Sequence, residues 1–475
     1  MSFNDFMTMR HELILAILVL LVLIIDLNLK KSQKQRIIPI ALSLFFIHTI
    51  IGFLPAQTGM LFGGMYHTDA LTILMKNILN VGVMIVLLQS VSWLRKAENG
   101  EKISEFFILL WSTLTGMNFM ISSGDFLMLY LGLELATIPM AALAAYVHHQ
   151  NRSAEAGIKL ILSSALSSGI LLFGLSLIYG STGSIYFDTV GLLFSNTPMQ
   201  LLAFIFFFSG MAFKISLVPF HLWTADVYEG SPVNVTSYFS VISKGASVFI
   251  LIMVMYTVFH SIAYLWKDIV YFIAILTMTV GNLFALRQKN MKRFLAFSSI
   301  AQAGFILLGI LGGNQLGMTS TVYFVLVYIF SNLGAFGVVS AISATIGKES
   351  MDDYDGLYTT NPKLTLLMML SVFSLAGIPP VAGFFGKFFL FTSAASGGYY
   401  WLVFIAVLNA TISLYYYLLV VKAMFINKND TPIAFFKSDF VTRLGLMICA
   451  IGIFALGFWS QLYEIINSLT FGIGN

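Results

Sequence analysis

Long apolar blocks separated by short polar stretches run along the whole chain. Most blocks hold 18 or more residues, enough for an α-helix to cross the roughly 30 Å hydrocarbon core of a membrane. They do not alternate between apolar and polar residues as the strands of a membrane barrel do. The pattern predicts an all-α polytopic membrane protein with about fourteen spans, which we number in chain order: 11–29, 37–54, 71–94, 104–122, 126–147, 157–179, 200–222, 233–258, 266–286, 293–312, 318–345, 364–395, 400–424 and 441–464.

The composition supports this interpretation and limits the function. Of the 475 residues, 58% are hydrophobic and 10% are charged, which excludes a cytosolic enzyme because soluble chains carry roughly 25% charged residues. A net charge of +4 gives no basis for a nucleic-acid partner. The single cysteine, Cys449, lies in span 14, which excludes disulfide frameworks and cysteine-ligated metal or iron–sulfur sites.

The basic residues predict how the chain is oriented. Loops after odd-numbered spans contain nineteen Lys and Arg residues, whereas loops after even-numbered spans contain only Lys267. Because positive charge accumulates on the cytoplasmic side, we expect both termini on the outer, periplasmic side of a bacterial inner membrane. Arg10 is assigned to an exposed N-terminal tail, and Lys76 is expected to extend from span 3 to the membrane interface.

Four charged residues lie near the middle of predicted spans, where a charge costs roughly 2.5 to 3.5 kcal/mol. They are Glu134 in span 5, Lys214 in span 7, Lys244 in span 8 and Lys387 in span 12. A structural ion pair between Glu134 and Lys214 is one explanation, but three lysines and one carboxylate leave at least two lysines unpaired. The alternative that we favour is a proton relay through the membrane centre, since buried ionisable groups of this kind mark proton paths.

Prolines are expected to break three of the same spans. Pro139 in span 5 and Pro219 in span 7 each follow the charged residue of that span by five positions. Pro379 and Pro380 divide span 12, whose 32 residues are too many for one straight crossing. An interior proline removes a helix hydrogen bond, and such breaks in membranes line water-filled cavities or ion paths. An ordinary packing kink is the alternative, chiefly for Pro139.

The order of the spans also predicts an internal repeat. Spans 4–8 and 9–13 are two five-helix units, and an odd number of crossings gives them inverted orientations. The fourth helix of each unit, span 7 or span 12, is broken and carries a lysine. The predicted divisions are an N-terminal three-helix segment, a first repeat, an inverted second repeat and a C-terminal segment with span 14: 1–103, 104–260, 261–425 and 426–475.

Four polar residues are candidate accessory groups. His221 is placed at the end of span 7, where it could pass protons between the lysines and the cytoplasmic loop. Asp226 lies in the following loop, and a helix-capping role is as plausible as a functional one. Ser298 and Gln302, with the neighbouring Ser299, lie in span 10, which corresponds to span 5 of the first repeat but offers no carboxylate. The tyrosines at 415–417 are interpreted as packing residues.

Five segments of the chain carry distinctive motifs. They are LGLELATIPM (131–140), PFHLWTADVYEGSPVNVTSYFSVISKGASVF (219–249), MKRFLAFSSIAQAGF (291–305), FSNLGAFGVVSAI (330–342) and SLAGIPPVAGFFGKFFLF (374–391). Together they resemble the antiporter-like membrane subunits of respiratory NADH:quinone oxidoreductase. The forms SVISK in span 8 and AGIPPVAGFFGK in span 12 are most similar to the N branch of that family.

The resemblance implies a proton-moving subunit without cofactors of its own. Quinone, NADH, FMN and iron–sulfur clusters are then expected in partner subunits, and the four midplane charges match the positions of the family's relay. Two alternatives remain open. A subunit of a multisubunit sodium/proton antiporter or of a proton-coupled membrane hydrogenase would use the same lysines, and a scaffold subunit that conducts nothing would retain them without use.

Overall fold

The chain folds into a membrane-type bundle of helices with one small hairpin. A computed structural model describes residues 3–313 and 315–469. Twelve helices in this part of the chain are long and apolar enough to cross a membrane. The prediction of an all-α, multi-pass membrane protein is therefore confirmed. The helix of span 4 and the two half-helices of span 12 are not among the twelve, so the count of fourteen crossings stays a prediction.

Most helices begin and end close to the predicted limits. Spans 1 to 6 are Arg10–Asn28, Ile37–Gly52, Ala70–Leu94, Ile103–Ile121, Phe126–Ala144 and Asn151–Thr182. Spans 9, 10, 11 and 13 are Ala263–Ala285, Met291–Gly312, Gln315–Ile346 and Tyr400–Phe425. Short helices are Phe3–Thr8, Phe187–Leu193 and Leu357–Thr360, with 3₁₀ turns at Lys31–Arg36, Phe62–Gly64, Ala97–Asn99, His260–Ile262 and Met351–Tyr354.

The remaining spans are divided. Span 7 is Pro198–Ile215, with a short second half-helix, Leu222–Gly230, beyond the predicted end of the span, and span 12 comprises Pro362–Ala376 and Ala382–Ser396. Span 8 contains Val233–Tyr238, the π-helical turn Phe239–Ser243 and Lys244–Thr257. Span 14 is Phe440–Phe458, followed by Gln461–Leu469.

Local polar residues explain several helix starts. Asp69 and Thr72 form a capping box at span 3, in which the Asp69 side chain accepts from the Thr72 amide at 2.7 Å. Asn290 caps span 10 by accepting from the Lys292 and Arg293 amides. Between spans 2 and 3, strands β1 (Gly59–Leu61) and β2 (Tyr66–Thr68) pair antiparallel, with Met60 opposite His67.

Three helices form the centre of the bundle. The most apolar parts of spans 8, 10 and 11 are 94%, 100% and 89% buried within this chain, whereas that of span 1 is 28% buried. Burial on all sides explains why spans 8, 10 and 11 carry apolar residues around their whole circumference. Polar side chains on these three helices must therefore find partners inside the protein.

The two expected breaks at span 7 and span 12 are present and have the same backbone geometry. Ser216 and Gly377, the residues after each first half-helix, have positive φ angles of 69° and 90°. The amide two residues beyond the helix end bonds back at each break: Leu217 to the Ala212 carbonyl at 2.9 Å and Ile378 to the Phe373 carbonyl at 3.0 Å. Such closures satisfy carbonyls at a helix end.

The lysines lie on opposite sides of these matched breaks. Lys214 is in the last turn of the first half-helix of span 7, whereas Lys387 is in the second half-helix of span 12. The broken spans are therefore alike in backbone but not in the placement of their charge. The inverted repeats and the four divisions of the chain stay predictions.

The expected break at Pro139 in span 5 is wrong. Helix Phe126–Ala144 continues through Pro139 without interruption. The proline removes only its own amide from the hydrogen-bond ladder, and packing of span 5 against spans 4 and 6 maintains the helix.

Two further assignments near the N-terminus are wrong. Lys76 does not extend to the interface but is fully buried in an ion pair with Glu12, 2.5 Å apart. Arg10 is buried as well, because its guanidinium donates to the Gly52 and Pro55 carbonyls at 2.6 and 2.8 Å. Glu12 and the Gly52 and Pro55 carbonyls are distant in the sequence from the side chains that they bind. The apolar residues next to Lys76 and Arg10 therefore did not predict these contacts.

Candidate functional site

Lys214 is buried and makes one direct polar contact. Its Nζ donates to Thr137 Oγ1 at 2.6 Å, and Thr137 follows Glu134 by one helical turn in span 5. A cavity of about 10 Å³ adjoins the two side chains and is lined also by Ser164, Ser167 and Ser168 of span 6. This is about the volume that one water molecule needs. Nothing in the sequence indicated this role for Thr137, because a helical threonine usually bonds only to the backbone of its own helix. Thr137 also makes such a bond, to the Leu133 carbonyl.

Glu134 lies near Lys214 but forms no direct ion pair with it. No ion pair within 4.0 Å in the described parts of the chain includes Glu134. Its side chain is half-buried, its Oε1 has no hydrogen-bond partner among the described residues, and it acts on Lys214 through space. Leu131 and Ile138, one turn before and after it, are more than half exposed. Glu134 therefore faces the outside of the subunit as much as it faces Lys214.

Lys244 occupies the centre of the bundle, directly after the π-helical turn Phe239–Ser243. Its Nζ donates to Ser299 Oγ at 2.8 Å and lies 5.7 Å from the centre of the Tyr228 ring. A second cavity of about 10 Å³ is lined by Lys244, Ser299 and Tyr328. Ile215, the residue that follows Lys214, also lines this cavity. Single π turns are frequent at functional positions because they redirect a side chain.

Lys387 lies at the second break. Its Nζ donates to the Ala376 carbonyl at 3.0 Å and lies 4.6 Å from the centre of the Phe305 ring. Ala376 ends the first half-helix of span 12, so the ammonium group satisfies a carbonyl that the helix leaves unpaired and meets the negative end of the helix dipole. At the break in span 7 an indole satisfies such a carbonyl instead, since Trp223 Nε1 donates to the Phe213 carbonyl at 3.1 Å.

Span 10 connects the environments of Lys244 and Lys387. Gln302 Nε2 donates to the Leu375 carbonyl at 3.0 Å, next to the carbonyl that receives Lys387. Gln302 also bonds to the Tyr417 hydroxyl at 3.3 Å, and Ser298 meets the same hydroxyl at 2.5 Å. Polar groups thus continue along span 10 from Ser299 to the second break.

This arrangement revises the accessory residues on spans 10 and 13. Ser298 and Gln302 do lie in the predicted region, but Ser299 is the residue that contacts Lys244. Tyr416 and Tyr417 are buried and pack against the Phe294 ring, as predicted. Their hydroxyls are also hydrogen-bonded, Tyr417 to Ser298 and Tyr416 to Asn282 at 2.9 Å. Tyr415 is 59% exposed at the bundle surface.

His221 does not end span 7 as expected, because that helix already ends at Ile215. It lies instead at the start of helix Leu222–Gly230, where it is buried, and its Nδ1 has no hydrogen-bond partner in the described part of the chain. It interacts electrostatically with Lys244. Its role in passing protons stays a prediction.

Asp226 caps no helix; it lies inside Leu222–Gly230 and joins an ion cluster. Its carboxylate pairs with Lys159 at 2.8 Å and with Arg293 at 2.7 Å, and Glu229 also binds Arg293 at 2.9 Å. Burial acts to raise the pKa of Asp226, but the hydrogen bonds from Lys159 and Arg293 outweigh it and hold the pKa below its ordinary value. The cluster ties span 6, the short helix after the break and span 10 together.

The lowered pKa of Asp226 gives a stability prediction with a definite sign. A depressed carboxyl pKa contributes stability above the unfolded-state pKa of about 3.9, and this contribution is lost as the pH falls through the folded-state value. We expect Asp226→Asn to melt below the wild type by a constant margin from roughly pH 8 to 5, with the margin shrinking at more acidic pH. Thermal unfolding of the two purified proteins across pH would measure this. A margin that widens below pH 5 would contradict it.

Comparison with known proteins identifies the family of the chain. Residues 123–413 match the family described as NADH:quinone oxidoreductase/Mrp antiporter membrane proteins. The chain belongs to this family. A protein from Phocaeicola vulgatus named NADH-quinone oxidoreductase subunit N is 49% identical over 468 residues, covering 98% of this chain and 99% of the relative. One of the same name from Azobacteroides pseudotrichonymphae is 49% identical over 477 residues, 100% of this chain and 99% of the relative.

Solved structures share the fold over nearly the whole chain. A chain of respiratory complex I from Thermus thermophilus superposes with a TM-score of 0.80 at 28% identity, covering 95% of this chain and 98% of that one. A chain of the Mrp complex from Dietzia superposes with a TM-score of 0.87 at 19% identity, covering 98% of each, which shows the fold alone. The resemblance to the antiporter-like subunits, in the form of the N branch, is therefore confirmed.

Proposed function

We propose that this chain is the proton-translocating membrane subunit of an NADH:quinone oxidoreductase in a bacterial inner membrane, with both termini on the outer side. Glu134, Lys214, Lys244 and Lys387 form its relay. One observation carries the proposal: each lysine is buried, donates to one neutral oxygen, and has no carboxylate within ion-pair distance among residues 3–313 and 315–469.

A buried ammonium group without a carboxylate at ion-pair distance loses its hydration and gains little Coulomb energy in return. Neutral hydroxyl and carbonyl oxygens compensate only part of that cost. The cost is relieved when the proton moves to a neighbouring group, so a series of such lysines transfers protons more readily than a series of ion pairs. The small cavities beside Lys214 and Lys244 have room for a bridging water at two of the transfers.

The redox chemistry belongs to partner subunits in this proposal. The names of the two relatives that are 49% identical, NADH-quinone oxidoreductase subunit N, support quinone reduction by NADH in the assembly. We place the binding of NADH, FMN, iron–sulfur clusters and quinone in the partner subunits. Glu134 is the natural input, since it faces the outside of the subunit and acts on Lys214 through space. A charge change in a neighbouring membrane subunit would then alter how strongly Lys214 holds its proton.

Removing the first two groups tests the proposal. We expect Glu134→Gln and Lys214→Ala to lower NADH-driven proton translocation by about tenfold or more, because the relay loses a proton carrier or its electrostatic partner. The measurements are NADH-dependent quinone reduction and pH-gradient formation in inverted membrane vesicles from cells with the assembled complex. The exposed Lys422→Ala is the matched control.

Two outcomes would contradict the proposal. Wild-type proton translocation by a fully assembled Lys214→Ala complex would favour a scaffold that conducts nothing. Transport that requires sodium and proceeds without quinone reduction would favour the antiporter alternative.

A further inference from the structure

Spans 1 to 4 enclose buried polar side chains that the relay does not use. His48 on span 2, Asn80 on span 3 and Asn118 on span 4 are 1%, 0% and 0% exposed, and both polar atoms of each lack a hydrogen-bond partner within residues 3–313 and 315–469. The indole nitrogen of buried Trp111 on span 4 also lacks a partner within these residues. An unsatisfied buried polar group costs about 1 to 3 kcal/mol, so such groups are normally bonded to ordered water.

These side chains lie around a common interior. The His48 and Asn80 side chains face each other and interact, but at a geometry too long or too bent for a direct hydrogen bond. The Phe45 ring contacts His48 at 5.5 Å between centroids and stacks on Trp111 at 5.9 Å. Asn118 follows Trp111 by seven residues, which is two helical turns and therefore the same face of span 4. Groups from three helices thus converge.

A hydrogen-bonded triad of Glu12, Lys76 and Tyr66 closes one end of this interior. Glu12 and Lys76 pair at 2.5 Å, and the Tyr66 hydroxyl lies 3.0 Å from Glu12 and 3.0 Å from the Lys76 ammonium. All three side chains are at most 2% exposed. Asn80 follows Lys76 by one turn of span 3, so the triad continues directly into the unpartnered groups.

A second polar connection reaches span 4. The Thr68 hydroxyl lies 3.4 Å from the Tyr66 hydroxyl and 3.2 Å from the Ser122 hydroxyl. Ser122 follows Asn118 by one turn. The triad is therefore joined to the interior along both span 3 and span 4.

The titratable groups that face this interior come from spans 1 to 3 and strand β2. Two of these groups lie at the edge of the interior and already have hydrogen-bond partners: Arg10 donates to the Gly52 carbonyl, and His11 bonds to Asn77 at 3.0 Å. Span 4 contributes only neutral side chains. The groups are Arg10, His11, Glu12, His48, Tyr66 and Lys76.

We propose that spans 1 to 4 hold a site for ordered water, bounded by His48, Asn80, Asn118 and Trp111. Its water joins the Glu12–Tyr66–Lys76 triad to His48 and carries protons between them. Each transfer moves one proton from an acid to a neighbouring water or base, so the cluster as a whole gains and loses nothing. The site is separate from the midplane lysines and does not rest on the proposed function of the chain.

Radiolytic footprinting of the assembled complex in oxygen-18 water tests for the site, because hydroxyl radicals formed from bound water oxidise the side chains beside it. Trp266 is an internal control: it is equally buried, but its indole nitrogen donates to the Phe259 carbonyl at 2.9 Å. We expect Trp111 to be labelled about fivefold faster than Trp266 or more, since only Trp111 would contact ordered water. The near-isosteric Asn80→Leu and Asn118→Leu should lower the labelling of Trp111 and leave that of Trp266 unchanged.

Hydrogen–deuterium exchange at the imidazole C2 of His48, followed by mass spectrometry, tests for proton transfer, because this exchange requires both water and a protonated ring. We expect measurable exchange in the wild-type complex and several-fold slower exchange in Asn80→Leu. Labelling of Trp111 at the rate of Trp266, or no exchange at His48 in the wild type, would overturn the proposal without bearing on the midplane relay. Both wild-type measurements stand even where a variant fails to assemble.

Discussion

Lys244→Met is expected to reduce NADH-driven proton translocation by one to two orders of magnitude, as the loss of a proton-transferring side chain typically does. Lys244 lies between the two breaks, and its contact Ser299 belongs to the helix whose polar groups continue to Lys387. No other buried lysine in the described part of the chain bonds to span 10 side chains. Methionine fills a similar volume without a proton to exchange, so the bundle should still fold.

The measurement is the initial rate of pH-gradient formation in inverted vesicles, normalised to the amount of assembled complex. Lys422→Met is the matched control, because it removes a lysine that is exposed at the end of span 13. Wild-type translocation by an assembled Lys244→Met complex would show that protons bypass the centre of the bundle. A complex that fails to assemble is distinguished by its abundance in purified membranes.

The fold could be predicted to a large extent because lipid imposes a simple constraint. A helix must satisfy its own backbone in hydrocarbon, so apolar length alone located the spans, and the two breaks followed from prolines within overlong or charged segments. Pro139 shows the limit of that rule. One proline costs a single hydrogen bond, and whether the helix breaks depends on neighbours that the local sequence does not contain.

The charged residues of the site were predictable because their transfer cost makes them conspicuous in an apolar segment. Their partners were not. Thr137, Ser299 and Tyr417 are ordinary residues of membrane helices, and only the packing of distant spans brings them to the lysines or to Gln302. The π-helical turn before Lys244 likewise has no periodic signature, since it shifts the helix by a single residue.

Lys76 also shows that local sequence does not reveal a partner from a distant span. A lysine one to two turns from a helix end usually extends to the interface, and this expectation failed because Glu12 lies 64 residues earlier in the chain. The carboxylate is itself near the start of span 1, where it resembled an ordinary interfacial residue. Two charges that each look interfacial can therefore form a buried pair, and sequence position alone gives no means of telling the cases apart.

Thr137→Val is expected to lower proton translocation by about fivefold or more, whereas Thr137→Ser should retain nearly wild-type activity. Valine matches threonine in shape but removes the oxygen that accepts from Lys214 at 2.6 Å. A buried donor left without its acceptor costs about 1 to 3 kcal/mol, and more where the donor is charged. Serine keeps the hydroxyl and loses only a methyl group. The pair of variants therefore separates the hydrogen bond from the packing of span 5.

Translocation and quinone reduction should be measured together, because the hydrogen bond acts on Lys214 and not on the redox partners. Uncoupled quinone reduction should persist in Thr137→Val when the proton gradient is collapsed by an ionophore, and coupled translocation should fall. Equal activities in the valine and serine variants would show that Lys214 holds and releases its proton without Thr137. In that case the through-space influence of Glu134 would be the remaining control on Lys214. The Glu134→Gln, Thr137→Val double variant would then translocate protons as fast as Glu134→Gln alone, since removing the Thr137 hydroxyl would add no further loss.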